Sequence, residues 1–301
     1  MDFLSRIKEI AGIENVFSNE RMDKHTTFRV GGPARYMAAP SDETQINALI
    51  RLCGEYEVPY YIVGNGSNLL VSDKGYDGLI ILIGRNMSDI SVCGDVISAG
   101  AGALLSEIGK RALNERLTGF EFASGIPGTL GGACVMNAGA YGKEMKDVLI
   151  SVRAITPDGD VRDFQAEELG LGYRQSIFID GGYAIIKADV RLMPGSYSEI
   201  SEKMAELARR RREKQPLEYP SAGSTFKRPE GMFAGQLIEQ SGLKGTGVGG
   251  ACVSEKHAGF IVNKGNATAK DIYDTIQLAV QTVAKKQGVK IEPEVRIIGE
   301  F

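Results

Sequence analysis

Long apolar runs, paired cysteines and an excess of positive charge are all missing from this chain of 301 residues. No stretch is apolar for long enough to cross a bilayer. The first residues, Met1-Asp2-Phe3-Leu4-Ser5-Arg6-Ile7-Lys8, are charged from the outset and read as a short amphipathic helix, not a signal peptide. The four cysteines, Cys53, Cys93, Cys134 and Cys252, are scattered without Cys-x-x-Cys spacing and mostly sit among apolar residues. That pattern suits buried thiols in a reducing compartment, and no metal site is visible. A formal net charge of −3 argues against nucleic acid as a bulk electrostatic partner, while leaving room for a local basic pocket. The one dense basic run, Arg209-Arg210-Arg211-Arg212, falls at the end of a charged helical stretch, where cations complement the helix dipole. A cytoplasmic protein without membrane insertion is the expectation.

What is present is glycine, concentrated in two loops. Gly64-Asn65-Gly66-Ser67-Asn68 lies between two apolar strands. Gly125-Ile126-Pro127-Gly128-Thr129-Leu130-Gly131-Gly132-Ala133 follows much later and continues toward Asn137-Ala138-Gly139-Ala140-Tyr141-Gly142. Glycine lets the backbone take positive φ and approach a ligand closely, and Ser67, Asn68 and Thr129 add side-chain donors. One such loop is an ordinary tight turn. Two of them point to a cradle for a dinucleotide pyrophosphate. Neither resembles a Rossmann glycine turn, and no Walker Lys-Ser/Thr pair follows.

Apolar spacing at Ile46, Leu49, Ile50 and Leu52-Cys53 predicts a helix over 42–56 that leads into a strand at 60–63. Strands are expected at 78–83, near 91, at 96–98, near 148–156 and at 183–192. A helix is expected at 104–116, and Pro157-Asp158-Gly159-Asp160 reads as a hairpin turn. Beyond Pro194-Gly195-Ser196 come a charged helix at 198–214, a mixed region, a long helix at 268–287 and a closing strand at 291–298. Alternation on that strand would put Glu292, Glu294 and Arg296 on one face. The expected division is an N-terminal helical segment at 1–22, a domain at 23–194 split near residue 84, and an α+β domain at 195–301.

Thr26-Thr27-Phe28-Arg29-Val30-Gly31-Gly32-Pro33-Ala34, the loop at 64–71, the stretch at 125–142, Tyr173-Arg174, Ser221-Ala222-Gly223-Ser224 and Glu294-Val295-Arg296 recur in a characteristic order and spacing. Over nearly its whole length the chain resembles the UDP-N-acetylenolpyruvoylglucosamine reductase family. The resemblance implies an α+β flavoenzyme of bacterial peptidoglycan synthesis. Its FAD-binding domain would have two subdomains, of the vanillyl-alcohol oxidase and p-cresol methylhydroxylase type, followed by a C-terminal α+β substrate-binding domain. It further implies non-covalent FAD, NADPH as reductant, and one cleft that serves NADPH and UDP-N-acetylglucosamine enolpyruvate in turn. Hydride from flavin N5 to the vinyl C3 and a proton to C2 would give UDP-N-acetylmuramate.

Cofactor contacts are expected at Gly64, Asn65, Gly66, Ser67, Asn68, Leu69, Gly125, Ile126, Pro127, Gly128, Thr129, Gly132, Ala133, Asn137, Gly139 and Tyr141. By resemblance Arg174 contacts the enolpyruvyl carboxylate, a role its fixed, always-charged donors suit. Ser224 is the implied proton donor to C2. A serine hydroxyl is a poor acid unaided, which makes Lys227 a candidate helper. Glu294 is the third implied catalytic residue, and Glu292, of the same type on the same expected face, is its control. The chain lacks the inserted, tyrosine-bearing segment of longer members and resembles the compact subtype. Arg228 and Arg296 are then candidates for the diphosphate contacts, with Tyr173, Lys227 and Gln236 also assigned to substrate. Two other classes stay open: a flavin oxidase with a histidine-tethered cofactor, for which only His25, just before the Thr26-Thr27-Phe28 motif, and His257 are available, and a nucleotide-binding module without catalysis.

Overall fold

A computed structural model, describing residues 2–301, folds into two compact units that do not follow the chain in linear order. One comprises the chain up to Phe17 with Tyr36–Asn65 and Gly78–Arg210; the other comprises Ser18–Arg35, Gly66–Asp77 and Arg211–Phe301.

In the first unit, Asp2 caps the helix Phe3–Ala11 by accepting from the Ser5 N–H at 3.0 Å, and Phe3, Ile7 and Ala11 form its buried stripe. The helix expected at 42–56 is Glu43–Glu55, capped by Asp42, with Ile46, Leu49, Leu52 and Cys53 buried. It leads into Tyr60–Val63, which pairs in parallel with Tyr76–Leu82, Val63 opposite Leu82. The main sheet has five antiparallel strands in the order Val161–Gln165, Leu149–Ile155, Ala184–Arg191, Val96–Gly100 and Ile90–Cys93. Its first hairpin turns where expected: Thr156 N–H donates to the Asp160 carbonyl at 2.8 Å, with Gly159 at φ +88°. Ile97, Ala99, Val152, Ala188 and Val190 share one core with Leu105, Ile108 and Ala112 of the helix Leu105–Asn114.

The second unit is organised around the helix Ala269–Gln287. Thr268 and Asp271 cap each other's backbone N–H at 3.0 Å, and Gly288 ends the helix at φ +68°. The buried stripe is Ile272, Ile276, Ala279 and Val283. Asp73 adds a second acceptor at the helix start, taking the N–H groups of Ala269 and Lys270 at 2.8 and 2.9 Å. A three-stranded antiparallel sheet, Gly247–Val248, Ala251–Val253 and Ile261–Asn263, belongs to the same unit.

The closing strand is shorter than its sequence suggests. Only Arg296–Ile298 is regular, paired in parallel with Leu69–Val71. Pro293 forms an isolated bridge with Phe226, and the chain bends at Val295. The bonds that flank this bridge use the Glu294 N–H and the Glu292 carbonyl, whereas the Arg296 N–H turns to Asn68, so the two-residue alternation breaks at the Val295 bend and does not run through 292–296. Glu292 is exposed, whereas the Oε2 atom of Glu294 is buried.

Candidate functional site

The two glycine-rich loops meet in the first unit. Asn65 donates from Nδ2 to the Pro127 carbonyl at 2.8 Å, and a Cβ on Gly64 would lie 2.2 Å from Thr129 Oγ1. Thr129 cannot simply turn away, because it is the N-cap of Leu130–Val135 and accepts from the Gly132 N–H. The rest of the first loop belongs to the second unit. Gly66 has φ +58°, and a Cβ there would lie 1.9 Å from the His25 carbonyl oxygen, a fixed backbone atom. Thr27 donates its N–H to the Gly66 carbonyl at 3.2 Å. The Thr27 hydroxyl is buried without a hydrogen-bond partner in the protein, a group that a bound ligand would satisfy.

The second loop is less open than a ring of free amides. The N–H groups of Ile126, Gly128, Gly131 and Ala133 donate to the carbonyls of Ala123, Ile126, Ala101 and Thr129. Asn137 is fully buried at φ +45°. Its Nδ2 donates to Glu144 Oε2 at 3.0 Å and to the Gly172 carbonyl at 2.9 Å, and its Oδ1 accepts from the Lys146 N–H at 2.9 Å. The Tyr141 hydroxyl donates to the Leu207 carbonyl at 3.0 Å, and Gly139 pairs with Glu144. At Gly128, Ala133, Asn137 and Tyr141, therefore, the donors expected to reach a cofactor are engaged inside the unit. Next to this loop, burial pushes the Cys134 thiol up to about 12, which keeps it neutral at physiological pH.

Tyr173 and Arg174 form the tip of a two-residue hairpin closed by two backbone hydrogen bonds between Gly172 and Gln175, at 3.1 and 3.2 Å. Arg174 sits at φ +52°, and its guanidinium lies 5.2 Å over the Tyr173 ring. A left-handed backbone costs a non-glycine residue about 1–2 kcal/mol.

In the second unit, Ser224 precedes a short ladder. Thr225 anchors it: its N–H donates to the Gly259 carbonyl at 2.8 Å, and its buried hydroxyl accepts from the Ile261 N–H at 3.1 Å. Opposite, Glu294 N–H donates to the Thr225 carbonyl at 2.7 Å and Lys227 N–H to the Glu292 carbonyl at 2.8 Å. Ser224 and Glu294, distant in sequence, thus lie on paired segments. Asn68 holds the same segment, donating from Nδ2 to the Glu294 carbonyl at 3.1 Å and accepting the Arg296 N–H at 3.0 Å. Leu69 is the strand partner of Arg296.

Lys227, the candidate helper of Ser224, has its Nζ 3.4 Å from Glu292 Oε2, and both side chains are about half exposed. The Arg228 guanidinium lies 4.8 Å over the Phe233 ring. Gln236 sits on the helix Ala234–Gln240, where a Cβ on neighbouring Gly235 would lie 3.6 Å from His257 Cε1. Burial lowers the His257 pKa, and its Nδ1 accepts from the Gly259 N–H at 3.1 Å. Sequence reasoning assigned no role to Thr27 or His257. Thr27 was marked by its place in the Thr26–Ala34 motif, whereas nothing in the pattern marked His257. His25 places Nε2 3.1 Å from Glu20 Oε1, and this hydrogen bond holds the Glu20 carboxyl below its usual range. Among the described residues, no cluster of metal-ligating side chains occurs and no helix is long and apolar enough to cross a membrane.

These features define a class, a protein with an FAD-binding α+β fold: residues 34–165 match the FAD binding domain family. The fold is similar to that of 4-ethylphenol oxidase from Gulosibacter chungangensis, with a TM-score of 0.50 and 16% identity over 64% of this chain and 42% of that one, a likeness of fold alone. The expected α+β class with an FAD-binding domain is the one found. Residues 215–298 match the C-terminal domain of UDP-N-acetylenolpyruvoylglucosamine reductase. The protein of that name from Clostridium perfringens is 50% identical over 299 residues, covering 99% of this chain and 98% of the relative. The crystal structure of UDP-N-acetylenolpyruvylglucosamine reductase from Thermus caldophilus has a TM-score of 0.79 at 37% identity, over 92% and 97% of the two chains. The chain belongs to the UDP-N-acetylenolpyruvoylglucosamine reductase family.

Proposed function

We propose that the chain reduces UDP-N-acetylglucosamine enolpyruvate to UDP-N-acetylmuramate in the cytoplasm, with NADPH as reductant and non-covalent FAD. At the coarser level, family membership makes it an FAD-dependent oxidoreductase of peptidoglycan precursor synthesis. The residues present fit an FAD pyrophosphate. Gly64 and Gly66 let the first loop pack against Thr129 and the His25 carbonyl where any side chain would clash, and the buried Thr27 hydroxyl is a group that a bound ligand would satisfy. His25, engaged with Glu20, favours non-covalent binding over a histidine tether.

FAD held there would supply the hydride-transfer chemistry between NADPH and the enolpyruvyl substrate. The chain's own groups handle the charge and the proton. Arg174 binds the enolpyruvyl carboxylate through its planar guanidinium and stabilises negative charge that builds there. Ser224 donates its hydroxyl proton to C2, and solvent restores that proton before the next turnover. Glu294 polarises the enolpyruvyl group together with Arg174. Arg228, Arg296 and Gln236 serve the substrate diphosphate and sugar, and NADPH and the sugar nucleotide occupy one cleft in turn. The observation that carries this reading is the ladder that sets Ser224 and Glu294 on paired segments, with Asn68 of the first glycine loop clamped to the same segment.

The proton-donor assignment has a test confined to one half-reaction. In anaerobic stopped flow, Ser224→Ala should bleach its flavin with NADPH at close to the normal rate. Reoxidation by the enolpyruvyl substrate should slow by about two to four powers of ten. Equal slowing of both steps would make Ser224 a residue that shapes the pocket and not the acid.

A further inference from the structure

We propose that Asn137 is a positioning residue for Arg174, and not the cofactor ligand its glycine-rich surroundings suggest. The Gly172 carbonyl accepts twice, from the Gln175 N–H that closes the hairpin and from Asn137 Nδ2 at 2.9 Å. The other amide hydrogen goes to Glu144 Oε2, and Oδ1 takes the Lys146 N–H. An asparagine amide has two N–H donors, and both are engaged, so Asn137 has none left for a pyrophosphate. Asparagine also suits its left-handed backbone at φ +45° better than most side chains. A second tie lies beside the first: Ser176 Oγ donates to the Val135 carbonyl at 2.5 Å and accepts the Phe178 N–H at 3.2 Å.

The hairpin that carries Arg174 is thus fastened at both of its flanks to the segment that leaves the helix Leu130–Val135, the helix opened by the second glycine loop. Arg174 itself is held in an unfavourable backbone conformation, which persists only where its surroundings impose it. Removing the Asn137 tie frees the hairpin tip to relax, and a guanidinium displaced by about 1 Å can cost two powers of ten in rate. The inference rests on the reading in which Arg174 binds the enolpyruvyl carboxylate.

The test uses the full-length holoenzyme with Asn137→Asp, which keeps shape and acceptor but removes both donors, and Asn137→Gly, which keeps the left-handed backbone. Each should hold FAD with near-normal affinity in a fluorescence titration, and NADPH should reduce it at close to the normal rate. Reoxidation by the enolpyruvyl substrate should slow by about a hundredfold. Added to Arg174→Ala, either substitution should slow reoxidation no further, because the group it positions is gone. Weakened FAD binding, equal slowing of both half-reactions, or full additivity with Arg174→Ala would overturn the proposal. Near-normal reoxidation in Arg174→Ala alone would instead overturn the reading beneath it. Should both Asn137 variants fail to fold, Ser176→Ala releases the other flank of the hairpin and must show the same non-additivity, and an additive loss there would also refute the idea.

Discussion

Glu292 and Glu294 are the same residue type two positions apart, yet their surroundings differ. Glu292 is exposed beside Lys227, whereas Glu294 buries an oxygen and has its backbone held by Thr225 and Asn68. A carboxylate positioned on a reacting group contributes far more than an exposed ion pair, which is worth about 0–1 kcal/mol. Glu294→Gln should therefore lower kcat by about two powers of ten or more, as should Arg174→Ala, while Glu292→Gln stays within a few fold. Steady-state kinetics on variants with unchanged circular dichroism checks this, and equal damage at Glu292 and Glu294 would reject the assignment. At this scale the glycines and the charged candidates could be singled out because their chemistry is written in residue type. The partners of the Asn137 and Lys227 side chains were not legible, because they come from distant parts of the chain: the Gly172 carbonyl in one case and the Glu292 carboxylate in the other.

Among the elements, the helix Ala269–Gln287 depends most visibly on its first turn. Thr268 and Asp271 cap it reciprocally, and the Thr268 N–H lowers the Asp271 pKa, with further help from Gly250 N–H. A depressed carboxylate pKa stabilises the fold above the ordinary aspartate range, near 3.9, and that contribution is lost as pH falls through the lower folded value. Thr268→Ala should cost about 1 kcal/mol in urea unfolding at neutral pH. Asp271→Asn should also destabilise the protein at neutral pH but flatten the acid limb of its stability profile, and an unchanged acid limb would dismiss the cap's role. Helices of this kind were readable to within a residue or two, because capping residues and apolar periodicity are local. The strand expected at 291–298 is shorter because its residue pattern alternates throughout while its backbone changes partner at the Val295 bend, from Thr225 to Asn68. The partner of its regular end, Leu69–Val71, lies far away in sequence and leaves no local signal.

For the whole molecule, the decisive variable is the cofactor. A ligand that binds only the folded state adds about 2.7 kcal/mol at one hundred times its dissociation constant. Protein freed of flavin by mild acid should accordingly melt several degrees lower, and added FAD should restore the melting temperature, since about 1 kcal/mol moves it roughly 2–4 °C for a chain region of this size. Riboflavin, which lacks the pyrophosphate, should restore little if binding energy is gained at the pyrophosphate. Boiling should leave yellow FAD in the supernatant, and colour retained in the pellet would point to covalent attachment.

The interleaved second unit imposes an order on biosynthesis. Every segment of the first unit has been translated once Arg210 is in place, whereas Ser18–Arg35 and Gly66–Asp77 must wait for partners that come after it. The strand Leu69–Val71 waits for Arg296–Ile298, which at about 5–20 residues per second is a delay of ten seconds or more. During that interval its backbone edge lacks its final neighbour, so a nascent chain stalled or truncated before Arg296 would carry an open strand able to recruit other chains or a chaperone.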